Sequence, residues 1–265
     1  MQGGRIRGWR KLARATWRAP IDPQFVGELD VDAGALVEYM RAERERTGER
    51  ITMTHLIGKA LAYALAAVPA ANVRIARGRV IPRDSVDVFF IVSYSNGTEL
   101  TGVKIAETER KPAAAIAREL ADHVAGIERG DDTQLGRGKQ MMSALPVPML
   151  RVVLRLAGWL TSDLHLDLKK LGMPRDAFGS AMVTSVGMWG VSRAISPLAP
   201  YYKVPVLLLV GAVADRPVAQ DGAVVVRPLL TLTATFDHRY LDGSHAAQLA
   251  AAMRAFCADP GRYDS

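Results

Sequence analysis

One short segment brings a proton acceptor, a carboxylate and a glycine within six residues of each other: His238, Asp242 and Gly243 in Phe236-Asp-His-Arg-Tyr-Leu-Asp-Gly243. Imidazole has the ordinary side-chain pKa nearest neutrality, so a His at a loop mouth is a candidate general base. Upstream, Thr231, Thr233 and Thr235 alternate with Leu232, Ala234 and Phe236, the period of a strand with two distinct faces. From Ser244 onward the spacing is helical, with an apolar stripe at Ala247, Leu249, Ala250, Met253 and Phe256. His238 is therefore predicted at a strand-to-helix junction, with Asp242 or Ser244 as helix cap and Gly243 free to take backbone conformations denied to other residues. The same spacing also fits a hydrogen-bonded surface turn, and periodicity does not separate the two.

The elements that must carry this junction can be read along the chain. A basic arm (Arg5, Arg7, Arg10, Lys11, Arg14, Arg18) precedes a strand near 25–31 and a charged helix over 35–46. Thr52 or Thr54 caps an apolar helix running to Val68. A hairpin through Gly78 joins strands at 72–76 and 79–82, and the β-branched and aromatic run 86–94 reads as a central strand. Asn96-Gly97 then turns the chain into a strand at 100–105. A helix over 112–127 and long strands over 203–213 and 223–237 complete an α+β pattern: a mixed or antiparallel sheet with helices on one side, in two layers.

Composition agrees with one large domain. The chain has 265 residues, 49% of them hydrophobic, enough for a sizeable core. Its only cysteine, Cys257, cannot form an intrachain disulfide, and this fits a reducing cytoplasm. There is no apolar leader and no run of 18 apolar residues. His55 and His123 read as capping or solvated, and no His pair has helical metal-site spacing, so no metal is expected. The Gly136-Arg-Gly-Lys139-Gln run lacks the rest of a phosphate loop.

Beyond these patterns, Phe236-Asp-His-Arg-Tyr-Leu-Asp-Gly243 resembles the His-x-x-x-Asp-Gly signature of the dihydrolipoyl acyltransferases, core components of 2-oxo acid dehydrogenase complexes, and more distantly that of chloramphenicol acetyltransferase. Asp237 and Arg239 flank the His as in the dihydrolipoyl branch, where the more distant relatives carry a second His. Arg10-Lys-Leu-Ala-Arg-Ala-Thr-Trp-Arg18, Gly27-Glu-Leu-Asp-Val-Asp32 and Thr54 through Asn72 are similar to the opening helix, first strand and second helix of that catalytic domain. The resemblance implies a chloramphenicol acetyltransferase-like fold, with a basic arm at 1–20 and an acyltransferase domain at 21–265 carrying an atypical insertion at about 140–176. It also implies that His238 is the base and that Thr184, in Ala181-Met-Val-Thr-Ser-Val-Gly187, stands where the family has a Ser that stabilises an oxyanion. Ser185 is the fallback donor. Asp242 would hold the loop through an ion pair with an Arg, and Gly243 would shape it.

The implied activity is transfer of an acyl group between a thioester, acyl-coenzyme A or acyl-dihydrolipoyl, and a thiol or other nucleophile. The alternative is a noncatalytic scaffold descended from such a core, which the change from Ser to Thr at position 184 keeps open. No lipoyl attachment site is found in the chain, so the donor is expected to be acyl-coenzyme A or the lipoyl domain of another protein. Gly261 and Arg262 stand where the family has an apolar tail, which points to a closed homotrimer with the site between subunits. The net charge of +7 suits coenzyme A phosphates, and no aromatic-interleaved basic stripe indicates nucleic acid. The insertion carries a helix at 147–160 with Leu150, Val153, Leu154, Ala157 and Leu160 on one face. Three readings stand for it: packing on the body, a lid over an acyl pocket, or a membrane-surface helix.

Overall fold

The computed structural model describes residues 23–94, 99–129, 146–168, 175–199 and 202–264. The basic arm, the turn at Asn96-Gly97 and the Gly136 to Gln140 loop lie outside the described residues. The strands are β1 (Gln24–Asp32), β2 (Val73–Ala76), β3 (Arg79–Pro82), β4 (Val88–Tyr94), β5 (Glu99–Ile105), β6 (Ala181–Ser185), β7 (Val206–Gln220) and β8 (Ala223–Asp237). The longer helices are α1 (Gly34–Thr47), α2 (Met53–Ala67), α3 (Ala113–Glu128), α4 (Val147–Gly158) and α5 (Gly243–Ala258).

Six strands form one sheet in the order β1-β8-β7-β6-β4-β5, and β2 and β3 pair as a separate hairpin. β8 runs antiparallel to β1 on one side and to β7 on the other. β6 is parallel to both β7 and β4, and β5 closes the edge antiparallel to β4. The sheet is thus mixed, as expected. Its parallel heart around β6 leaves no local trace, because the partners lie far apart in sequence.

Side-chain alternation assigns the two faces. Leu230, Leu232 and Phe236 of β8 enter the main core with Leu56, Phe90 and Phe256, so α1, α2, α3 and α5 cover one face of the sheet. On the opposite face Phe89, Met182, Leu198, Val204 and Leu207 form a second cluster under the chain that leads into β7. Buried threonines need partners there: the Thr235 hydroxyl donates to Ser196 O at 2.7 Å, and the Thr233 hydroxyl to Ala194 O. In α2, Gly58 leaves room for the Phe90 ring, which would lie 2.2 Å from an added Cβ. The Cys257 thiol is 2% exposed and burial pushes it up to about 12.

Thr52 opens α2, and its backbone N–H donates to Nδ1 of His55 at 3.1 Å. Burial, aided by the Arg44 charge, lowers the His55 imidazole from 6.5 to about 4. Between those two values the unfolded chain binds a proton that the folded chain refuses, so stability must fall as pH drops through this window. His55→Gln keeps an acceptor at the same helical position without the titration. Thermal melts at pH values across that window are expected to show a steeper loss for the wild type than for the variant.

Candidate active site

β8 ends at Asp237, and the backbone of His238 is still pinned, its N–H donating to Pro23 O at 2.7 Å. The imidazole is exposed and leans on Phe25, with ring centroids 5.0 Å apart; its nitrogens have no hydrogen-bond partner among the described residues. Phe25 in turn stacks on Phe236 at 4.8 Å. The ring is therefore held from one side and open on the other, as a base that must meet a substrate requires.

The turn after β8 is closed by backbone bonds from Tyr240 N and Leu241 N to Asp237 O, at 3.0 and 3.1 Å. Asp237 is 5% exposed, and a buried carboxylate needs donors. Arg239 supplies them: its backbone N–H and its Nε each lie 2.9 Å from Asp237 Oδ1. This pair clamps the two residues flanking His238, a contact the sequence reading did not anticipate. Its only local signal is the Asp-x-Arg spacing within a tight turn.

Asp242 is the N-cap of α5. One of its carboxylate oxygens accepts from Ser244 N at 2.9 Å and His245 N at 3.1 Å, and lies 2.7 Å from His245 Nδ1. The cap predicted for Asp242 is present. The Arg ion pair implied by the resemblance is not among the described contacts: helix N–H groups and His245 serve the carboxylate instead. These donors hold the Asp242 carboxyl below the usual carboxylate range, the His245 backbone bond contributing most. The same ring nitrogen also lies 3.4 Å from the Asp242 backbone N–H, closing a reciprocal capping box. Gly243 is the first residue of α5, and a Cβ there would meet nothing within 4 Å, so its freedom is not used in the folded loop.

Thr184 sits in β6, paired with Leu209 of β7, which pairs with Thr233 of β8. Alternation puts it on the second-cluster face beside Met182, half-buried, and its hydroxyl has no partner among the described residues. The Ser185 hydroxyl is already engaged, donating to Val210 O and accepting from Gly187 N, both at 3.2 Å, so the fallback donor is taken. Gly187 permits this turn: a Cβ there would lie 2.6 Å from Gly211 O. Within one chain the structure does not bring Thr184 to His238. Two strand spacings and five residues separate them, about 10 Å across the sheet and about 16 Å along it.

One cavity adjoins β8 and α5, and a larger groove lies apart from them, along β2, β4, β5 and α3. The cavity is apolar, about 180 Å³, and lies between β1, β8 and α5, lined by Gly27, Ala234, Phe236, Ala246 and Ala250, among others. The groove, of about 1010 Å³, carries Arg74, Arg83, Lys104 and Arg175, but also Asp84, Asp87 and Asp176. Its charges are mixed: Arg83 pairs with Asp176, and Lys104 lies 3.4 Å from Asp87.

A family model described as 2-oxoacid dehydrogenases acyltransferase (catalytic domain) matches residues 9–136 and 169–263, and the chain belongs to that family. It is 26% identical over 246 residues to the dihydrolipoyllysine-residue acetyltransferase component of the Rhizobium meliloti pyruvate dehydrogenase complex, covering 90% of this chain and 45% of that protein. The chain thus spans about half the length of the curated relatives it matches. Two solved structures each overlay with a TM-score of 0.67 at 20% identity, covering 92% of this chain and 84% of theirs. One is the cubic core of a pyruvate dehydrogenase multienzyme complex; the other is the dihydrolipoamide acetyltransferase of Azotobacter vinelandii, studied for a serine, a histidine and an asparagine in its catalytic mechanism. Chloramphenicol acetyltransferase overlays with a TM-score of 0.51 at 14% identity, covering 89% of each chain. At these identities the overlays establish the fold alone, and it is the chloramphenicol acetyltransferase-like fold.

Asn caps helices about as well as Asp, whereas Ala does not. Asp242→Asn is expected to hold the melting temperature of the wild type, and Asp242→Ala to lower it by roughly 2–4 °C, as read by differential scanning fluorimetry.

Proposed function

We propose that the protein is an acyltransferase that moves an acyl group between a thioester, acyl-coenzyme A or acyl-dihydrolipoyl, and a thiol. The exposed imidazole of His238 carries this reading: in a chain of this family it stands free at the end of a strand whose every neighbour is fixed. A scaffold has no use for a base held open to solvent between an ion-paired clamp and a capped helix.

In the proposed reaction, neutral His238 takes the proton of the incoming thiol, because the thiolate is the competent nucleophile and a free thiol is mostly protonated at neutral pH. The thiolate attacks the thioester carbonyl and a tetrahedral oxyanion forms. The Thr184 hydroxyl donates to that oxygen. When the intermediate collapses, the C–S bond of the donor breaks, and the leaving thiolate recovers the proton from the imidazolium. The protein forms no covalent bond to the acyl group.

Because Thr184 and His238 lie too far apart within one chain, the reaction needs two subunits, each giving one residue to a shared site. A homotrimer built around such sites is our reading, and the solved cubic core supports an assembled state for relatives of this fold. A lipoyl domain of another protein is a candidate acyl carrier. Asp242 acts through the loop, as the cap that fixes where His238 stands.

Purified protein incubated with a panel of acyl-coenzyme A donors and dihydrolipoamide tests the reading. His238→Ala is expected to lose on the order of 100- to 10,000-fold in turnover. Thr184→Val, which keeps the shape and deletes the hydroxyl, is expected to lose on the order of 100- to 1,000-fold, and Thr184→Ser to stay near wild type. Equal turnover by His238→Ala and wild type defeats the mechanism. Mixing His238→Ala with Thr184→Val subunits is expected to restore part of the activity, and a fully active monomer on sizing would refute the shared site.

A further inference from the structure

Helix α4 lies in the stretch that the family model leaves unmatched, 137–168. Its apolar side chains occupy two faces. Leu150, Val153, Leu154, Ala157 and Leu160 are half-buried. The other face is just as apolar and open: Met149 is 55% exposed, Val152 64%, Leu156 53% and Trp159 50%. Intervals of three and four residues line these side chains up in one stripe. From Val147 to Ser162 the chain carries Arg151 and Arg155 and no acid, and Arg155 is exposed.

The far end of this helix is tied to the catalytic loop. It continues into a π-helical turn (Trp159–Asp163), where Arg74 of β2 donates to Ser162 O at 3.2 Å. Asp163 pairs with Lys203 at 3.2 Å, and the carbonyl of Lys203 accepts from the Tyr240 hydroxyl at 3.5 Å. Tyr240 lies two residues beyond His238.

We propose that the Met149, Val152, Leu156 and Trp159 stripe docks on a lipid bilayer that carries anionic headgroups. An apolar stripe that enters the headgroup boundary, a tryptophan at its end and purely cationic charge along the same helix are what an interfacial helix needs. The arginines pair with lipid phosphates, and the net charge of +7 adds attraction to a negative surface. The same charge argues against a two-fold pairing of the stripe with a second copy, which would bring the exposed Arg155 side chains of the two helices towards each other. Among the described residues no helix is long and apolar enough to cross a membrane, so the contact is peripheral. If the acyl-transfer reading holds, docking sets the His238 loop beside the bilayer, where a lipid-soluble acyl donor or acceptor is within reach.

Flotation of the full chain with extruded vesicles tests the docking, using phosphatidylcholine alone or phosphatidylcholine with about a third phosphatidylglycerol. The wild type is expected to float with the anionic vesicles and to stay behind with the neutral ones. The double variant Val152→Asp, Leu156→Asp changes only exposed positions, so it should keep the melting temperature while floating roughly tenfold less or worse. Arg155→Glu is expected to weaken flotation in the same sense. His238→Ala should float like the wild type, so a protein that binds vesicles yet transfers no acyl group sinks the catalytic reading and leaves the docking intact. Absence of flotation with anionic vesicles, or equal flotation of the double variant, overturns the proposal. So does a lipid-free dimer that the double variant abolishes, because that would assign the stripe to a second copy.

Discussion

The shared hydrogen bonding of β8 fixes nearly everything of functional interest in this protein. From Leu229 to Asp237 the strand is paired with β1, and from Val206 to Val210 β7 pairs with its other edge. A strand held along both edges cannot slip by a residue without turning every side chain to the wrong face. That would drive Thr231, Thr233 and Thr235 into the helical core and Leu230, Leu232 and Phe236 out of it. His238 inherits its position from this ladder, and the Pro23 carbonyl extends the ladder to the His backbone itself. The loop beyond is short, with a clamped ion pair at one end and a helix cap at the other.

The sheet order explains why the proposed chemistry is divided between subunits. Parallel β6 lies between β4 and β7, so the hydroxyl strand and the base strand never touch. In the proposed assembly a second copy would supply the group that one chain cannot bring to the same carbonyl, at the cost of dependence on that assembly.

Much of this architecture was legible in the sequence, for identifiable reasons. Alternation in β8, the switch to helical spacing after Ser244 and the caps at Thr52 and Asp242 are local signals, and local signals survive in a single chain. The parallel pairing of Phe90 with Val183 joins residues distant in sequence, and no short pattern encodes it. The engagement of the Ser185 hydroxyl with Val210 O also depends on a partner strand, so only geometry could separate it from Thr184. Asp237 and Arg239 resemble the family's residues beside the His, but their mutual clamp follows from burial, which composition does not report. In α4, Val152 and Leu156 lie on a face as apolar as that of Val153 and Leu154, and periodicity cannot rank the two.

The burial of Cys257 has a practical side. A thiol that is 2% exposed and pushed up to about 12 is protonated and out of reach at neutral pH, and the chain has no other cysteine. Colorimetric thiol reagents added to the folded protein will therefore find almost no protein sulfur to label. Any free sulfhydryl that appears with time must come from a small molecule released in solution, so the folded protein provides its own blank.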